Sequence, residues 1–277
     1  MEVRQLHTRT ISAAGRFYPA DKVSLERELS LLLEASPVFN LTRPVRAIIV
    51  PHDSLTLSGG VAARAFRQII DISYRRAVFI TTAHQERFPF ISVYSGDGYR
   101  TPLGCAPVDQ QHARLVSSLH SQIQLSEKGH LNNEHALETI LPFLQWTHGN
   151  IPILPIVFGT ENETLRGILW KILYKTLPLD ETLFVATTNL SHRHTYSEAK
   201  AMDQMAINDI EIFDESRLLE DVAEKRVEMC SPASVYTVMK IGRVSGADKS
   251  KVLLYRNSYD MTGSRDEVSG YLAAVIY

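Results

Sequence analysis

Val45-Arg46-Ala47-Ile48-Ile49-Val50-Pro51-His52 is an apolar, β-branched run that stops at a proline and a histidine, and Ser58-Gly59-Gly60 follows shortly after. Strands buried on both faces of a parallel sheet read as continuous runs of this kind. Ligands of open α/β sheets gather just past the carboxyl ends of such strands. The pattern returns at Arg76-Ala77-Val78-Phe79-Ile80-Thr81-Thr82-Ala83-His84, and again at Leu183-Phe184-Val185-Ala186-Thr187-Thr188-Asn189-Leu190-Ser191-His192. Three apolar strands, each with a histidine near its exit, predict one shared site at one rim of a sheet.

Working outward, Asp21 is placed to cap a helix with Leu25, Leu29, Leu32 and Leu33 on one face. A short strand over 90–94 precedes Asp97-Gly98, which reads as a tight turn. Thr101-Pro102-Leu103-Gly104-Cys105 reads as a loop, and Glu134 to Leu141 as a helical run that Pro142 interrupts or ends. An apolar strand at 152–158 leads into a helix with Leu165, Ile168, Leu169, Ile172 and Leu173 on its core face. Met202, Ala206, Ile210 and Phe213 have helical spacing, and the methionines read as core packing. A helix after Cys230 precedes two closing strands, at 252–255 and 270–277, which favour a mixed sheet over an all-parallel one. The expectation is one α/β domain over residues 1–277, a single-domain αβα sandwich with a central, mostly parallel or mixed β-sheet flanked by helices.

A chain of 277 residues can bury a sizeable core, and its 44% hydrophobic and 22% charged content is ordinary for a globular protein. The net charge of −2 provides no basic field for nucleic acid or an anionic membrane. No apolar run is long enough to span a bilayer, and Met1-Glu2-Val3-Arg4-Gln5-Leu6 has no hydrophobic signal core. Two cysteines, Cys105 and Cys230, do not form a disulfide framework in a chain of this size. A cytoplasmic location is therefore expected.

Of ten histidines, His7, His112, His120, His130 and His148 lie in polar or helical surroundings and read as surface residues. The chemically interesting group is His52, His84, His135 and His192, with Cys230 and His194. Imidazole and thiolate suit zinc, copper and iron, and a cysteine can replace the carboxylate of a two-histidine, one-anion iron site. Ser191 beside His192 does not make a hydrolase nucleophile, because strand neighbours point to opposite faces and no Gly-x-Ser-x-Gly elbow is present. Ser58-Gly59-Gly60 lacks the nucleotide-binding glycine patterns. Glu134 and Glu138 are one helical turn apart, and solvation accounts for Glu134.

Taken in order, several stretches resemble the Memo family, relatives of the class III extradiol dioxygenases and of the B component of the AmmeMemoRadiSam system. They are Ala14-Gly15-Arg16-Phe17-Tyr18-Pro19, Pro51-His52 with Ser58-Gly59, and Ala83-His84. Thr101-Pro102-Leu103-Gly104 with Val108-Asp109, and Glu134-His135 with Glu138 and Leu141-Pro142-Phe143-Leu144, match closely. Asn189-Leu190-Ser191-His192 is similar to an Asp-Phe-Ser-His motif, and Asn257-Ser258 through Thr262-Gly263 to Gly270-Tyr271 resembles the closing segment. The resemblance implies iron or copper held by His52, His84 and Cys230, with His135 and His192 in the same pocket as acids or bases. Asp53 and Asn189 depart from the pattern, one adding a carboxylate beside His52 and the other removing one. Asp53 is a candidate proton carrier in compensation.

Three readings follow. The first is a redox or dioxygenase-like enzyme using Fe(II), with copper as the second metal, on a small molecule. The alternative is a non-catalytic adaptor that retains the pocket to bind a peptide or small ligand, and a hydrolytic zinc enzyme comes third. AMMECR1-like and radical SAM proteins are the partner proteins that the resemblance implies.

Overall fold

The computed structural model describes residues 6–131 and 133–277; Met1 to Gln5, most of the stretch read above for a signal core, and Asn132 lie outside them. The chain runs β1 (Thr8–Arg9), α1 (Lys22–Glu34), β2 (Ala47–Val50), α2 (Gly60–Arg67), β3 (Arg76–Thr82), β4 (Ile91–Tyr94), β5 (Gly98–Thr101), β6 (Gly104–Pro107), α3 (Gln110–Ser118) and β7 (Ile123–Ser126). It continues through α4 (Leu141–His148), β8 (Ile153–Phe158), α5 (Glu163–Thr176), β9 (Thr182–Thr187), α6 (Tyr196–Glu211), α7 (Glu215–Ala223), α8 (Pro232–Val244), β10 (Ser250–Asn257), α9 (Tyr259–Thr262) and β11 (Gly270–Ile276).

Eight strands form the main sheet in the order β10-β11-β2-β9-β3-β8-β4-β7. The adjacent strands β2, β9, β3 and β8 are parallel, while β11 joins β2, β10 joins β11 and β4 joins β8 antiparallel. The mixed sheet expected from the closing strands is present. Side chains of β2, β8, β9 and β11 are buried along their whole length, as sheet strands covered on both faces must be. One helical layer places α2 against β2, β10 and β11, with α1 and α4 packed beside it; a second lays α8 across β2, β9 and β3, with α5 and α7 on α8.

Local chemistry explains the element ends. The Asp21 carboxylate accepts from Ser24 N at 2.8 Å and caps α1, whose Leu25, Leu29 and Leu33 are buried. Gly59 ends a π-helical turn over Leu55–Gly59, where a Cβ would meet Leu32 and Leu55 at 3.0 and 3.2 Å. Close packing thus accounts for the glycine at 59, while a Cβ at Gly60 would make only ordinary contact with Leu32 at 4.0 Å.

Several expectations need correction. Asp97-Gly98 does not close a hairpin with β4: the chain leaves the main sheet there, and β5 pairs with β1 and β6 in a separate three-stranded sheet. Pro102 and Leu103 turn between β5 and β6, so the stretch read as a loop is a hairpin. Residues 136–140 are turns rather than helix, and Pro142 opens α4 instead of ending one; proline suits the first helical turn, where its missing N–H has no partner to lose. His130 is not a surface residue: it is buried, hydrogen-bonded to the Tyr99 hydroxyl. Met202 is only half-buried and lies off the core, whereas Met205 packs against it; Phe213 lies past α6 in a left-handed conformation.

Candidate metal centre

The three parallel strands β2, β9 and β3 are neighbours and end at the same rim. His52, Asn189 and His84 each lie two residues beyond their strand. In-register pairing of Val50 with Thr187 brings His52 level with Asn189, whose side-chain Oδ1 accepts from His52 N at 3.0 Å. Cys230 arrives from the segment before α8. Its main-chain N donates to Asn189 O at 3.1 Å, and Asn189 N donates to the Cys230 Sγ at 3.0 Å. Ser231 N then donates to Thr188 Oγ1 at 3.1 Å, fixing the start of α8.

One ligand atom from each of His52, His84 and Cys230 lies within 4.8 Å of the other two. The Cys230 Sγ is 3.5 Å from His52 Nε2. Each imidazole is held by its other nitrogen: His52 Nδ1 by Thr187 Oγ1 at 2.8 Å, and His84 Nδ1 by the Glu134 carboxylate at 3.0 Å. Metal-ligating histidines are oriented in this way, by a hydroxyl, carbonyl or carboxylate behind the ring. Two imidazoles and a thiolate suit iron, copper or zinc. The donor set fits a transition metal and is too soft for magnesium or calcium.

Electrostatics follow from burial and partners. Burial, then the charges of His84 and His135, keeps His52 well below the ordinary imidazole range. For His84, burial acts against the proton, but the hydrogen bonds it donates to Cys230 and Glu134 outweigh it and push the group up to about 10. Burial alone would raise Glu134; its bonds to His84 hold it below the usual carboxylate range instead. His135 is lowered by burial, against the pull of Glu134.

His135 joins the cluster, with its ring centre 5.7 Å from that of His52 and 5.5 Å from that of His84. Phe17 stacks on its other side at 4.3 Å. Asp53 accepts from the Tyr271 hydroxyl at 2.8 Å, and the ring of His192 is hydrogen-bonded to Ser269 Oγ at 2.9 Å. A cavity of about 470 Å³ is lined by His52, His84 and Cys230 together with His135, His192 and Asp53. All six sequence-predicted site residues therefore face one space. His194 does not: it pairs with Glu228 and lines an adjoining groove. Cys105 lies on β6, in the other sheet, and Ser191 is buried with its main-chain N bonded to Asp203.

Four contributors escaped the sequence reading. Glu134 is 4% exposed and supports His84, so solvation does not account for it. Arg9 and Glu138, both buried, form an ion pair that joins β1 to the segment carrying His135. Glu138 also accepts from Ala13 N at 2.8 Å, Ser12 Oγ at 2.8 Å and the Tyr18 hydroxyl at 2.5 Å, tying down the loop that presents Phe17. Thr187 behind His52 is the fourth. Glu134 and Glu138 were visible as a spaced pair, but the cations that bury them are remote in sequence.

Comparison with known proteins shows what the chain is similar to. The profile described as "Memo-like protein" matches residues 9–275. A MEMO1 family protein of Aquifex aeolicus is 30% identical, covering 98% of this chain and 99% of its own length; one of Methanobrevibacter smithii is 28% identical, with 95% and 98% covered. An uncharacterized protein of Escherichia coli K12, JW3007, superposes with a TM-score of 0.51 at 13% identity over 81% of this chain and 98% of its own, which bears on the fold alone. No described helix is long and apolar enough to cross a membrane. With the ordered motifs, the rim of histidines and a profile match along nearly its whole length, the chain belongs to the Memo family.

Proposed function

We propose that this protein is a metal-dependent oxidoreductase of dioxygenase-like character, acting on a small organic molecule, with Fe(II) as the first candidate metal and copper as the second. The observation that carries this reading is the convergence of His52, His84 and Cys230, each braced from behind, on the wall of a cavity large enough for a small substrate. A metal held there would supply redox chemistry with dioxygen as oxidant and the organic molecule as reductant. The chain's own residues handle protons and position. His135, lowered by burial, is neutral near pH 7 and can take a proton from a substrate hydroxyl. His192 lines the same cavity as a second acid or base. The Tyr271 hydroxyl, pushed up by burial and then by Asp53, stays protonated and holds the Asp53 carboxylate toward the cavity as an acceptor. Phe17 and Leu190 exclude water on the apolar side.

Protein purified without oxygen should bind about one Fe(II) per chain, and His52→Ala should lose it. Cys230→Ser should abolish thiolate-to-metal charge-transfer absorption in the copper-loaded protein. If ligand binding survives full metal removal and no oxygen is consumed with catechol-like or thiol substrates, the protein is a ligand-binding adaptor instead.

A further inference from the structure

The donor cavity continues outward. Glu228 and Met229 line it and also line a groove of about 670 Å³, so the two spaces adjoin across these residues. The groove runs between α6 and the 222–229 segment, with Ala201, Met202, Val222 and Val227 as apolar walls. Glu198 and Lys225, of opposite charge, also line it, together with His194.

Charge in the inner cavity is one-sided. Among the described residues its lining contains the carboxylates of Asp53 and Glu228 and neither a lysine nor an arginine, while Arg87 lines a separate space that shares His84 and Cys230 and contains its own carboxylate, Glu161. The guanidinium of Arg16, outside it, lies over the Phe17 ring at 5.7 Å and donates to Ser12 O at 3.3 Å. Two neutral imidazoles, a thiolate and a divalent ion carry a net positive charge, which the carboxylates of Glu134, Asp53 and Glu228 more than cancel. A carboxylate or phosphate on the ligand would add like charge in a half-enclosed space, where repulsion is weakly screened. An ammonium would meet Glu228, whose Oε2 is held by His194 Nε2 and whose Oε1 has no hydrogen-bond partner among the described residues.

We infer that the substrate is an organic amine with an apolar body. Its reacting end enters the donor cavity, its ammonium sits against Glu228, and its hydrocarbon lies along Ala201, Met202 and Val227. The inference rests on the oxidoreductase reading for the identity of the reacting end, and its test is a binding measurement that does not depend on turnover.

Calorimetric titrations of anaerobic Fe(II)-loaded and metal-free protein would compare dopamine, 3,4-dihydroxyphenylacetate and N-hexyldopamine. Dopamine should bind at least about tenfold tighter than the carboxylate, and the hexyl chain should add at least about fivefold more. Glu228→Gln should reduce the amine preference to under about threefold, since it keeps shape and removes charge. Ala201→Trp should erase the hexyl gain, N-hexyldopamine then binding no tighter than dopamine. Equal or tighter binding of the carboxylate, an undiminished preference in Glu228→Gln, a hexyl gain that survives Ala201→Trp, or no binding by any probe would overturn the inference. An amine preference in protein that holds no Fe(II) and consumes no oxygen would retire the oxidoreductase reading and leave the ligand class standing. Oxygen consumption with the carboxylate alone would do the reverse.

Discussion

Replacing Glu134 by Gln tests whether the site is built as described, because one carboxylate braces His84 from two directions. Its Oε2 accepts from His84 N at 2.7 Å, and its Oε1 from His84 Nδ1 at 3.0 Å. The same Oε1 takes His135 N at 3.1 Å and Ala136 N at 3.3 Å. Glutamine has one acceptor oxygen, so its amide NH2 must face at least one of these N–H donors. With the side chain 4% exposed, water cannot repair the loss, and an unmet buried donor costs roughly 1–3 kcal/mol. Loosening the brace behind a metal-binding imidazole lowers affinity about 10- to 100-fold, or about 1.4–2.7 kcal/mol. The two routes give the same size of effect. Anaerobic titration with Fe(II) or Zn(II) against a competing chelator measures it, with urea unfolding of the metal-free protein as the companion assay. A variant within about twofold of wild-type affinity would refute the claim that Glu134 orients His84 for a metal.

Arg9→Met strands the buried Glu138 carboxylate and should cost about 3–5 kcal/mol of unfolding free energy in urea. His130 is buried and is held down to about 3, by burial first and the Arg9 charge second, so it is neutral in the fold and protonates near 6.5 when unfolded. Its contribution is present above pH 6.5 and is lost as pH falls toward 3, at about 1.4 kcal/mol per unit. His52 and His135, also lowered, add to the same slope in metal-free protein. Unfolding measured between pH 7 and 4.5 should therefore show a slope about one proton smaller in His130→Asn, and an unchanged slope would count against the assignment. Gly159→Ala places a methyl 2.1 Å from the Phe88 ring and 2.3 Å from its carbonyl oxygen, and should give at least about 2 kcal/mol of destabilisation or no folded protein.

The core of the fold was legible because buried parallel strands announce themselves. The apolar runs ending at Val50, Thr82 and Thr187 carry the central strands within a residue or so of their observed ends. Short strands with mixed burial did not. Gly98–Thr101 and Gly104–Pro107 have no clean alternation and little β-branched bulk, and they form because they have partners: the first pairs with β1 and the second with the first. Residues Glu134 to Ile140 have helical composition, yet Glu134 and Glu138 are turned inward by His84 and Arg9, and that tertiary demand overrides propensity. His130 reads as polar for the same reason: its partner Tyr99 is a strand residue of the other sheet.

Asn189 shows how main chain and side chain divide the work at this rim. The sulfur of Cys230 is placed by the main chain of Asn189, through Asn189 N to Sγ at 3.0 Å and Cys230 N to Asn189 O at 3.1 Å, so side-chain identity there does not decide where it sits. The Asn189 side chain acts elsewhere, on the neighbouring strand exit. Its Oδ1 accepts from His52 N at 3.0 Å, which an amide oxygen performs as well as a carboxylate oxygen. What an amide cannot supply is negative charge at the cavity wall. Asp53, one residue after His52 and held by Tyr271, places a carboxylate on the same cavity wall. Backbone placement of the donors and side-chain placement of charge are thus independent.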